Sequence, residues 1–502
     1  MVGTIWALVP PIVAITLALI TKEVYSSLFV GIVVGGLFFS GFSFEGTFNH
    51  ILNDGFISVL SDSYNVGILL FLVILGAMVA LMNKAGGSAA FGNWAKTHIK
   101  SRTGAMLATI CLGVLIFIDD YFNCLTVGSV MRPVTDEHKI SRAKLAYLID
   151  ATAAPVCIIA PISSWAAAVT GFVPGDEGFS TFIKAIPYNY YAILTVVMMV
   201  FLAVAKFDFG PMKRFEDNAI NNDDLFTVKS TATNTAEVTP NPNGKVADLI
   251  VPVVVLIALC VLGMIYTGGF FSGKSFIDAF AASDASVGLA LGSIGALIVT
   301  IIIFLIRKVV SFKECMSCIP EGFKAMVPAI LILTFAWTLK AMTDSLGAAE
   351  YVAGLMETCA GGLMSLLPAI IFLVGLALAF ATGTSWGTFG ILIPIVVAVF
   401  DGLDPQLMII SISACMAGAV CGDHCSPISD TTIMASAGAQ CDHVSHVSTQ
   451  LPYALICAGV SCVTYIIAGF TKNAWISLPI GIIMMLAVLF AFKKITVAGK
   501  EA

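Results

Sequence analysis

The sequence has few charged residues, and this shortage excludes the commonest soluble classes of protein. Charged residues fill 11% of the 502 positions, whereas soluble domains carry about 25%. A chain with 58% hydrophobic residues cannot cover a soluble surface with polar groups. The sequence also lacks a stripe rich in Lys and Arg, and its formal net charge of −6 argues against nucleic-acid binding. The mean hydropathy of +0.97 instead predicts a polytopic membrane protein.

The sequence also lacks a disulfide framework and a cleavable leader. Its 13 cysteines are odd in number and irregular in spacing, and many lie within apolar runs. The amino-terminal run MVGTIWALVPPIVAITLALITKE has no basic segment before its apolar core and no small-residue cleavage site. We therefore expect a first membrane span here rather than a signal peptide.

Long apolar runs, in contrast, recur along the whole chain. A helix crosses the hydrocarbon core of a bilayer with about 20 residues. We predict about eleven such spans, near 5–21, 25–42, 64–83, 143–172, 187–205, 246–267, 286–306, 325–343, 406–435, 449–470 and 475–492.

Two further regions, 104–131 and 364–400, have short apolar arms around a polar centre. Arms this short predict re-entrant hairpins, which a membrane tolerates where protein or water covers the irregular backbone. The spans 143–172 and 406–435 are predicted to be interrupted helices, because the second contains Pro427 beside polar residues and the first carries a matching segment.

The chain also repeats itself. Pro-Ile-Ser occurs at 161–163 and again at 427–429, 266 positions later, and the two hairpins occupy corresponding places. Five full spans precede the polar segment 206–245, so the second copy enters the membrane from the opposite side. We predict an all-α polytopic membrane protein built as an inverted-topology repeat. Its parts are a first repeat at 1–205, a cytoplasmic linker at 206–245, a second repeat at 246–470, and an additional carboxyl-terminal span and tail at 471–502.

The positive charges predict the orientation. If the amino terminus faces outward, only Lys184, Lys274, Lys340 and Lys472 of the 25 Lys and Arg residues fall outside the cytoplasmic side. Cytoplasmic loops carry an excess of Lys and Arg. The linker and the carboxyl terminus are therefore expected in the cytoplasm.

Carboxylates inside apolar segments are the strongest functional signal. A charge at the centre of a membrane helix costs roughly 2.5–3.5 kcal/mol on insertion scales, so it needs a functional or structural reason. Asp119 and Asp120 lie at the tip of the first hairpin, and Asp423 and Asp430 flank Pro427. An interrupted helix exposes backbone carbonyls and helix ends, which transporters use to hold ions.

Neutral oxygen ligands accompany these carboxylates, as a hard monovalent cation requires. A buried carboxylate can also exchange a proton for a cation at one site. Each hydroxyl taken alone could equally serve hydrogen bonding between helices. The candidate cation- and proton-binding residues are Asp119, Asp120, Asn123, Thr382, Thr384, Ser385, Asp423, His424, Ser429, Asp430 and Thr431.

Three other features of the sequence bear on this site: the Cys and His residues, the individual histidines, and the positions of the arginines. The Cys and His residues around 421–446 fit no standard zinc spacing, so neither a cofactor nor a metal beyond transported Na+ is expected. His424 is predicted to relay protons or to hydrogen-bond with Asp423, whereas His443 and His446 are expected in a solvated loop. All five Arg residues fall in or beside cytoplasmic loops, which modestly favours a cation over a carboxylate as substrate.

Several long motifs resemble one known family. ATGTSWGTFGILIP at 381–394, GDHCSPISDTTI at 422–433 and HVSTQLPYA at 446–454, together with FIDDYFN and APISSW in the first half, resemble the NhaC-type Na+/H+ antiporter family. The resemblance implies a multi-pass protein of a bacterial-type cytoplasmic membrane, within a larger ion-transporter group, that exchanges cations for protons. It also extends to members that exchange carboxylates or carry amino acids.

We therefore expect a secondary transporter, not an enzyme, that exchanges Na+, or Li+, for H+. Its expected partners are Na+, H+ and the lipid bilayer, and its scaffold helices could form a homodimer. The alternative is a Na+- or H+-coupled carrier of a small carboxylate or amino acid. An intramembrane metalloenzyme and a channel are the other classes that the sequence leaves open.

Overall fold

The computed structural model describes residues 1–21, 23–117, 120–161, 163, 165–166, 169, 178–228, 241–348, 350–351, 364–400 and 404–501. Within these ranges the regular secondary structure is helical, without β-strands.

The longer helices of the first half are labelled α1 to α9. They are α1 (Val9–Thr21), α2 (Val24–Phe39), α3 (Ser63–Lys84), α4 (Gly87–His98), α5 (Arg102–Leu115), α6 (Asp120–Glu137), α7 (Arg142–Asp150), α8 (Tyr190–Ala205) and α9 (Gly210–Asn222). Shorter helical segments are Ile5–Leu8, Phe44–Asn49, His50–Ile57, Ser58–Ser61, Ala154–Cys157, Gly178–Ala185 and Ile186–Tyr188.

The second half continues the series. It contains α10 (Ala247–Thr267), α11 (Ala285–Ile306), α12 (Phe312–Ser345), α13 (Leu367–Thr382), α14 (Ser385–Phe400), α15 (Pro405–Cys425), α16 (Asp430–Ala439), α17 (His443–Thr471) and α18 (Ala474–Glu501). Shorter segments are Phe270–Ser272, Phe276–Ala281 and Met364–Leu366.

Many of these helices meet the requirements for a membrane span. By length and composition, eight stretches of the described chain qualify: Ser63–Lys84, Tyr190–Asn222, Ala247–Thr267, Ser286–Ile306, Met364–Thr382, Pro405–Cys425, His443–Thr471 and Ala474–Thr496. Shorter apolar helices cover Ile5–Ala14, Tyr25–Phe39 and Arg102–Leu115. The predicted all-α polytopic membrane fold is confirmed, whereas the number of spans, the re-entrant hairpins and the inverted repeat stay predictions.

Polar residues start the helices that carry the site. The side chain of Ser429 accepts the N–H of Thr432 at 3.2 Å and so begins α16. Asp404 accepts the N–H groups of Gln406 and Leu407 at the start of α15. These side chains satisfy N–H groups that have no partner within the helix.

Two chain breaks lie against each other in the second half. Gly383 ends α13 with a φ of +67°, a conformation that favours glycine. A Cβ on Gly383 would lie 2.5 Å from the carbonyl oxygen of Ile428, between α15 and α16. Ser426 also donates to the carbonyl of Phe380 at 2.8 Å. The break that follows Thr382 is thus held against the break that contains Pro427.

The hairpin of α5 and α6 packs onto the same region. The side-chain N–H groups of Asn123 reach the carbonyls of Gly113, Ile116 and Thr152 at 2.7–3.1 Å. Further along α6, a Cβ on Gly128 would lie 2.4 Å from the carbonyl carbon of Gly438. This close crossing of two glycines brings α6 against α16.

The first part of the predicted solvated linker is packed instead. Asp208 accepts hydrogen bonds from Lys144 and Tyr453, both at 2.5 Å, and Lys144 is 1% exposed. Glu216, on α9, is buried and pairs with Arg102. These ion pairs hold residues 206–222 against α5, α7 and α17, because a buried charge needs a partner. Residues 229–240 of the predicted linker lie outside the described residues.

Candidate cation and proton site

Asp430 is the first residue of α16 and lies at the centre of the predicted site. Its Oδ2 accepts the hydroxyl of Tyr121 at 2.6 Å, and its Oδ1 accepts the N–H of Thr431 at 2.9 Å. The residue is only 5% exposed. The amino-terminal end of a helix favours such a negative charge.

Asp423 lies on the other side of the helix break and is fully buried. Its Oδ2 accepts the hydroxyl of Thr431 at 2.6 Å, and that hydroxyl is 3.1 Å from the Ser429 hydroxyl. Its Oδ1 has no hydrogen-bond partner in the described part of the chain. Asp430 thus begins the first turn of α16, and Asp423 contacts that turn from α15. Neutral oxygens lie between the two carboxylates.

Neither carboxylate forms an ion pair with a Lys or Arg side chain among the described residues. A buried charge without a fixed counter-charge is costly, because the protein has removed it from water. A proton or a mobile cation at this place removes that cost.

Asp120 lies beside this pair and is held by aromatic side chains. Its Oδ2 accepts the indole N–H groups of Trp165, at 3.1 Å, and Trp386, at 3.4 Å. Tyr121, which bonds Asp430, is the next residue in the chain. Its neighbour Asp119, also predicted for the site, lies outside the described residues.

The predicted neutral ligands divide into two groups. Thr384, Ser429 and Thr431 lie at the two breaks, near the carboxylates. Thr382 is turned to its own helix, where its hydroxyl donates to the carbonyl of Leu378 at 2.8 Å. The hydroxyl of Ser385 is buried without a hydrogen-bond partner among the described residues.

Asn123 contacts the backbone rather than the carboxylates. Its amide N–H groups are occupied by the backbone carbonyls of Gly113 and Ile116 in the first hairpin and of Thr152 after α7, so it holds these two parts of the backbone together. Its Oδ1 is buried and has no hydrogen-bond partner among the described residues.

A cavity of about 450 Å³ leads to Asp430. Its lining includes Asp430, Tyr121, Thr384 and Trp386. The other lining residues are Ser58 and Val59 of the segment Ser58–Ser61, Asp62 before α3, Tyr64 and Asn65 of α3, Trp337, Lys340, Ala341 and Asp344 of α12, and Gly387 of α14. Asp423 is not part of this lining. Water therefore has access to one carboxylate of the pair from this cavity.

Lys340 places a positive charge in the lining of this cavity, a position that the sequence did not predict. Its Nζ donates to Asp344 at 2.6 Å, on the same face of α12. The predicted layout counted Lys340 only as a residue on the outer side. A single Lys within the apolar run 325–343 was the signal that could have identified it.

His424 does not contact Asp423 in the way that the sequence predicted. Its Nδ1 is 3.0 Å from the hydroxyl of Tyr191, and its Nε2 faces Asp150 at 3.8 Å. Because consecutive helical residues point about 100° apart, His424 lies on a different face of α15 from Asp423.

His443 and His446 are buried, contrary to the predicted solvated loop. α17 begins at His443, so both imidazoles belong to its first turns and face the protein interior. His446 Nε2 is 3.3 Å from Asp150 Oδ2, and Gln450 donates to the same oxygen at 2.6 Å. Asp150, a carboxylate within the apolar run 143–172, was the one signal in the sequence that could have pointed to this second cluster.

No group of three or more His, Cys, Asp or Glu side chains in the described part of the chain is arranged to hold a metal ion. The carboxylates instead lie among hydroxyl, amide, indole and imidazole groups. The carboxylates and imidazoles can bind protons, and the carboxylate, hydroxyl and amide oxygens can bind a transported cation.

Comparison with known proteins decides the family. The family model described as "Na+/H+ antiporter family" matches residues 156–470, which include both breaks of the second half. The chain belongs to the Na+/H+ antiporter family. A Haemophilus influenzae protein described as uncharacterized is 38% identical over 98% of this chain and 96% of its own length.

Two relatives in this family have antiporter names. The malate-2H(+)/Na(+)-lactate antiporter of Bacillus subtilis is 30% identical over 33% of this chain and 35% of its own. An uncharacterized Na(+)/H(+) antiporter of Haemophilus influenzae is 30% identical over 32% of this chain and 34% of its own. The chain is therefore an integral membrane protein of a family of cation and solute antiporters, with transporters rather than enzymes as its relatives.

Proposed function

We propose that this protein exchanges Na+, and with it Li+, for H+ across the cytoplasmic membrane of a bacterial-type cell. The observation that carries the proposal is the pair Asp423 and Asp430 at the break between α15 and α16. Both are buried, neither has a Lys or Arg partner among the described residues, and neutral oxygens lie between them. Hard cations prefer such oxygen ligands.

Competition for the same oxygens provides the exchange. When Na+ binds, its charge compensates the ionised carboxylates, and bound protons are displaced. When protons bind, the carboxylates become neutral and the cation is released. The cation-bound site and the protonated site both bury less uncompensated charge than the empty ionised site. The protein therefore changes its access from one side of the membrane to the other mainly in these two forms.

The cavity provides one route to this pair. It reaches Asp430, which is slightly exposed, whereas Asp423 is fully enclosed behind Thr431. A cation that enters from the cavity meets Asp430 first. Movement at the break containing Pro427 would then expose Asp423 to the other side, as expected for an alternating-access carrier.

The direct test is Asp430→Asn in proteoliposomes with an imposed pH gradient. We expect Na+ or Li+ to dissipate the gradient with the wild-type protein. The variant should fall to the level of protein-free vesicles, because a neutral amide cannot take up and release a proton in exchange for the cation. Asp278→Asn is the matched control, because Asp278 is exposed and bonds only locally to Ser275. Full exchange by Asp430→Asn would remove this residue from the site.

A second candidate function has its own observation. The cavity beside Asp430 is lined by Lys340 and by the aromatic side chains of Trp337 and Trp386. A volume of about 450 Å³ is far larger than a bare cation needs and suits a small organic molecule. The named Bacillus subtilis relative also favours this candidate: an antiporter that couples Na+ or H+ to a small carboxylate or amino acid.

Lys340→Gln separates the two candidates. If the cavity binds a carboxylate, loss of the ammonium should raise the half-saturating concentration of that substrate by about tenfold or more, since a charge-assisted hydrogen bond contributes ~1.5–3 kcal/mol. Na+/H+ exchange without organic substrate should change little. Lys274→Gln is the control, because this Lys is exposed and outside the cavity. Failure of lactate, malate and amino acids to affect the wild-type protein would eliminate the second candidate.

A further inference from the structure

A second buried cluster lies apart from the Asp423–Asp430 pair. Asp150 ends α7 and is fully buried. Its Oδ2 accepts hydrogen bonds from Gln450, at 2.6 Å, and Thr432, at 3.1 Å, and lies 3.3 Å from His446 Nε2. Its Oδ1 has no hydrogen-bond partner among the described residues, and His424 Nε2 lies 3.8 Å from that oxygen.

The charge balance of this cluster requires a proton. Its ion-pair partners in the described part of the chain are His424 and His446, which are 2% and 0% exposed. An ionised carboxylate in such a place is costly without a counter-charge. Because a neutral imidazole carries no charge, the cluster becomes neutral only when one proton resides on it.

We propose that Asp150, His424 and His446 form a buried proton-binding site that is separate from the Asp423–Asp430 pair. The bound proton is shared between the carboxylate and the two imidazoles. Nothing in the lining of the cavity comes from these three residues, so the cavity does not reach this site. Proton binding here does not depend on which substrate the protein transports.

The new site is joined to the carboxylate pair through the start of α16. The Thr432 hydroxyl lies 3.1 Å from Asp150 Oδ2 and 3.4 Å from the carbonyl oxygen of Asp423. His424 follows Asp423 directly in the chain. Movement at the helix break therefore moves a ligand of each site, and a change of protonation at one alters the geometry of the other.

A row of polar side chains leads to the site along α17. His443, His446 and Gln450 are three and four residues apart, so they lie on one face of the helix. His443 is 7% exposed and lies at the end of this row. Its Nε2 donates to the carbonyl of Pro427 at 2.7 Å, and its Nδ1 is 3.0 Å from the Ser436 hydroxyl.

The titratable groups that face Asp150 come from several of the helices packed around it. α15 contributes Asp423 and His424, α16 contributes Asp430, α17 contributes His443 and His446, and α8 contributes Tyr191 through its bond to His424. The charged side chains of α6 and α9 near α7 contact its first turn instead, around Ser141 and Arg142. That turn is about 12 Å from Asp150 along the helix.

Proton uptake by the purified full-length protein tests this site directly. The protein in detergent, without Na+ or buffer, is titrated with acid from about pH 8 to about pH 5, and the bound protons are counted against a protein-free blank. Asp150→Asn should bind about one proton fewer than wild type, because the two buried imidazoles then have no counter-charge that holds the proton. His98→Gln, an exposed substitution outside the cluster, is the control for the effect of mutation itself. An undiminished count in Asp150→Asn would overturn the proposal.

A second variant serves if Asp150→Asn does not fold, as judged by size-exclusion chromatography. His424→Gln/His446→Gln keeps the carboxylate and should also lose about one proton, because the two imidazoles share it. A loss of no protons, or of two, would contradict a site that shares one proton. The loss in Asp150→Asn should add to that in Asp430→Asn if the two sites are separate.

The transport assay separates this inference from the proposed function. If Na+ fails to move protons with the wild-type protein, the Na+/H+ proposal fails while the proton count of the Asp150 site stands. If Asp150→Asn folds and transports but its proton count is that of wild type, the second site fails while the exchange proposal stands.

Discussion

At the scale of single residues, Asp423 and Asp430 differ in their access to water. Asp430 is reached from the cavity and accepts the Tyr121 hydroxyl, whereas Asp423 is enclosed and accepts the Thr431 hydroxyl. Both hydroxyls stabilise the ionised form, because they donate to the carboxylates. Neither removes the negative charge, so the site keeps its affinity for a cation or a proton.

Tyr121→Phe tests this arrangement. The variant loses the donor to Asp430 without losing the ring, and a hydrogen bond to a charged group contributes ~1.5–3 kcal/mol. We expect the half-saturating Na+ concentration in the proteoliposome assay to rise about tenfold, with exchange still measurable at high Na+. Tyr266→Phe is the control, because Tyr266 is exposed on α10. An unchanged Na+ dependence would show that the Tyr121 hydroxyl does not act on the cation site.

At the scale of helices, the site depends on where helices stop. α13 stops at Gly383, and α15 stops before Pro427, and the two breaks are packed together. The glycine contact between α6 and α16 then brings Tyr121 within reach of Asp430. A larger side chain at Gly128 would separate these helices, because no space exists for a Cβ.

The start of α15 offers a prediction about pH. Burial acts to raise the pKa of Asp404, but the hydrogen bonds from Lys472, at 2.6 Å, and from the N–H of Leu407 outweigh it, so the pKa lies below the ordinary 3.8. The ionised form is therefore stabilised by folding. This contribution is complete above the ordinary pKa and is lost as the pH falls through the lowered native value.

Asp404→Ala should lower the free energy of unfolding near pH 7 by about 1 kcal/mol through loss of the helix cap. The difference in free energy of unfolding between this variant and wild type should become smaller near pH 3, because the Asp404 carboxylate of wild type is then protonated and has also lost its charge. Asp404→Asn keeps a capping side chain without the charge, so its difference from wild type isolates the bond to Lys472. Thermal unfolding in detergent measures all three. A difference independent of pH would contradict the role of the charge.

At the scale of the whole molecule, two polar regions approach the break between α15 and α16 separately. The aromatic cavity with Lys340 reaches Asp430, and the histidine row of α17 reaches Asp150. Under the predicted orientation, the cavity lies toward the outside and the start of α17 lies toward the cytoplasm.

Reporter fusions test that orientation. Alkaline phosphatase fused after Ser272, which follows α10, should be active because it is exported. Green fluorescent protein fused to the carboxyl terminus should fluoresce, because it remains in the cytoplasm. The opposite pair of results would reverse the molecule, and the cavity beside Asp430 would then open to the cytoplasm. A fusion after Asn222, in the predicted cytoplasmic linker, provides an independent check.

The sequence by itself determined the membrane class, the family and most of the carboxylates. Mean hydropathy and apolar run length are sums over local sequence, so they identify spans without knowledge of packing. Charges within apolar runs also stand out locally, which is why the sequence identifies Asp120, Asp423 and Asp430 as candidates for the site. Pro427 marked the break between α15 and α16 because its missing N–H is a local property.

Only the tertiary structure decided which side chains meet. Tyr121 and Asp430 are 309 residues apart, and Asp150 and His446 are 296 apart, so no spacing rule predicts either contact. The same holds for Lys340, whose position in the cavity depends on how α12 packs beside α3. In the structure His424 faces Asp150, whereas the sequence predicted that it would face Asp423. The rotation of α15 about its own axis decides where each of its side chains points, and local sequence does not determine that rotation.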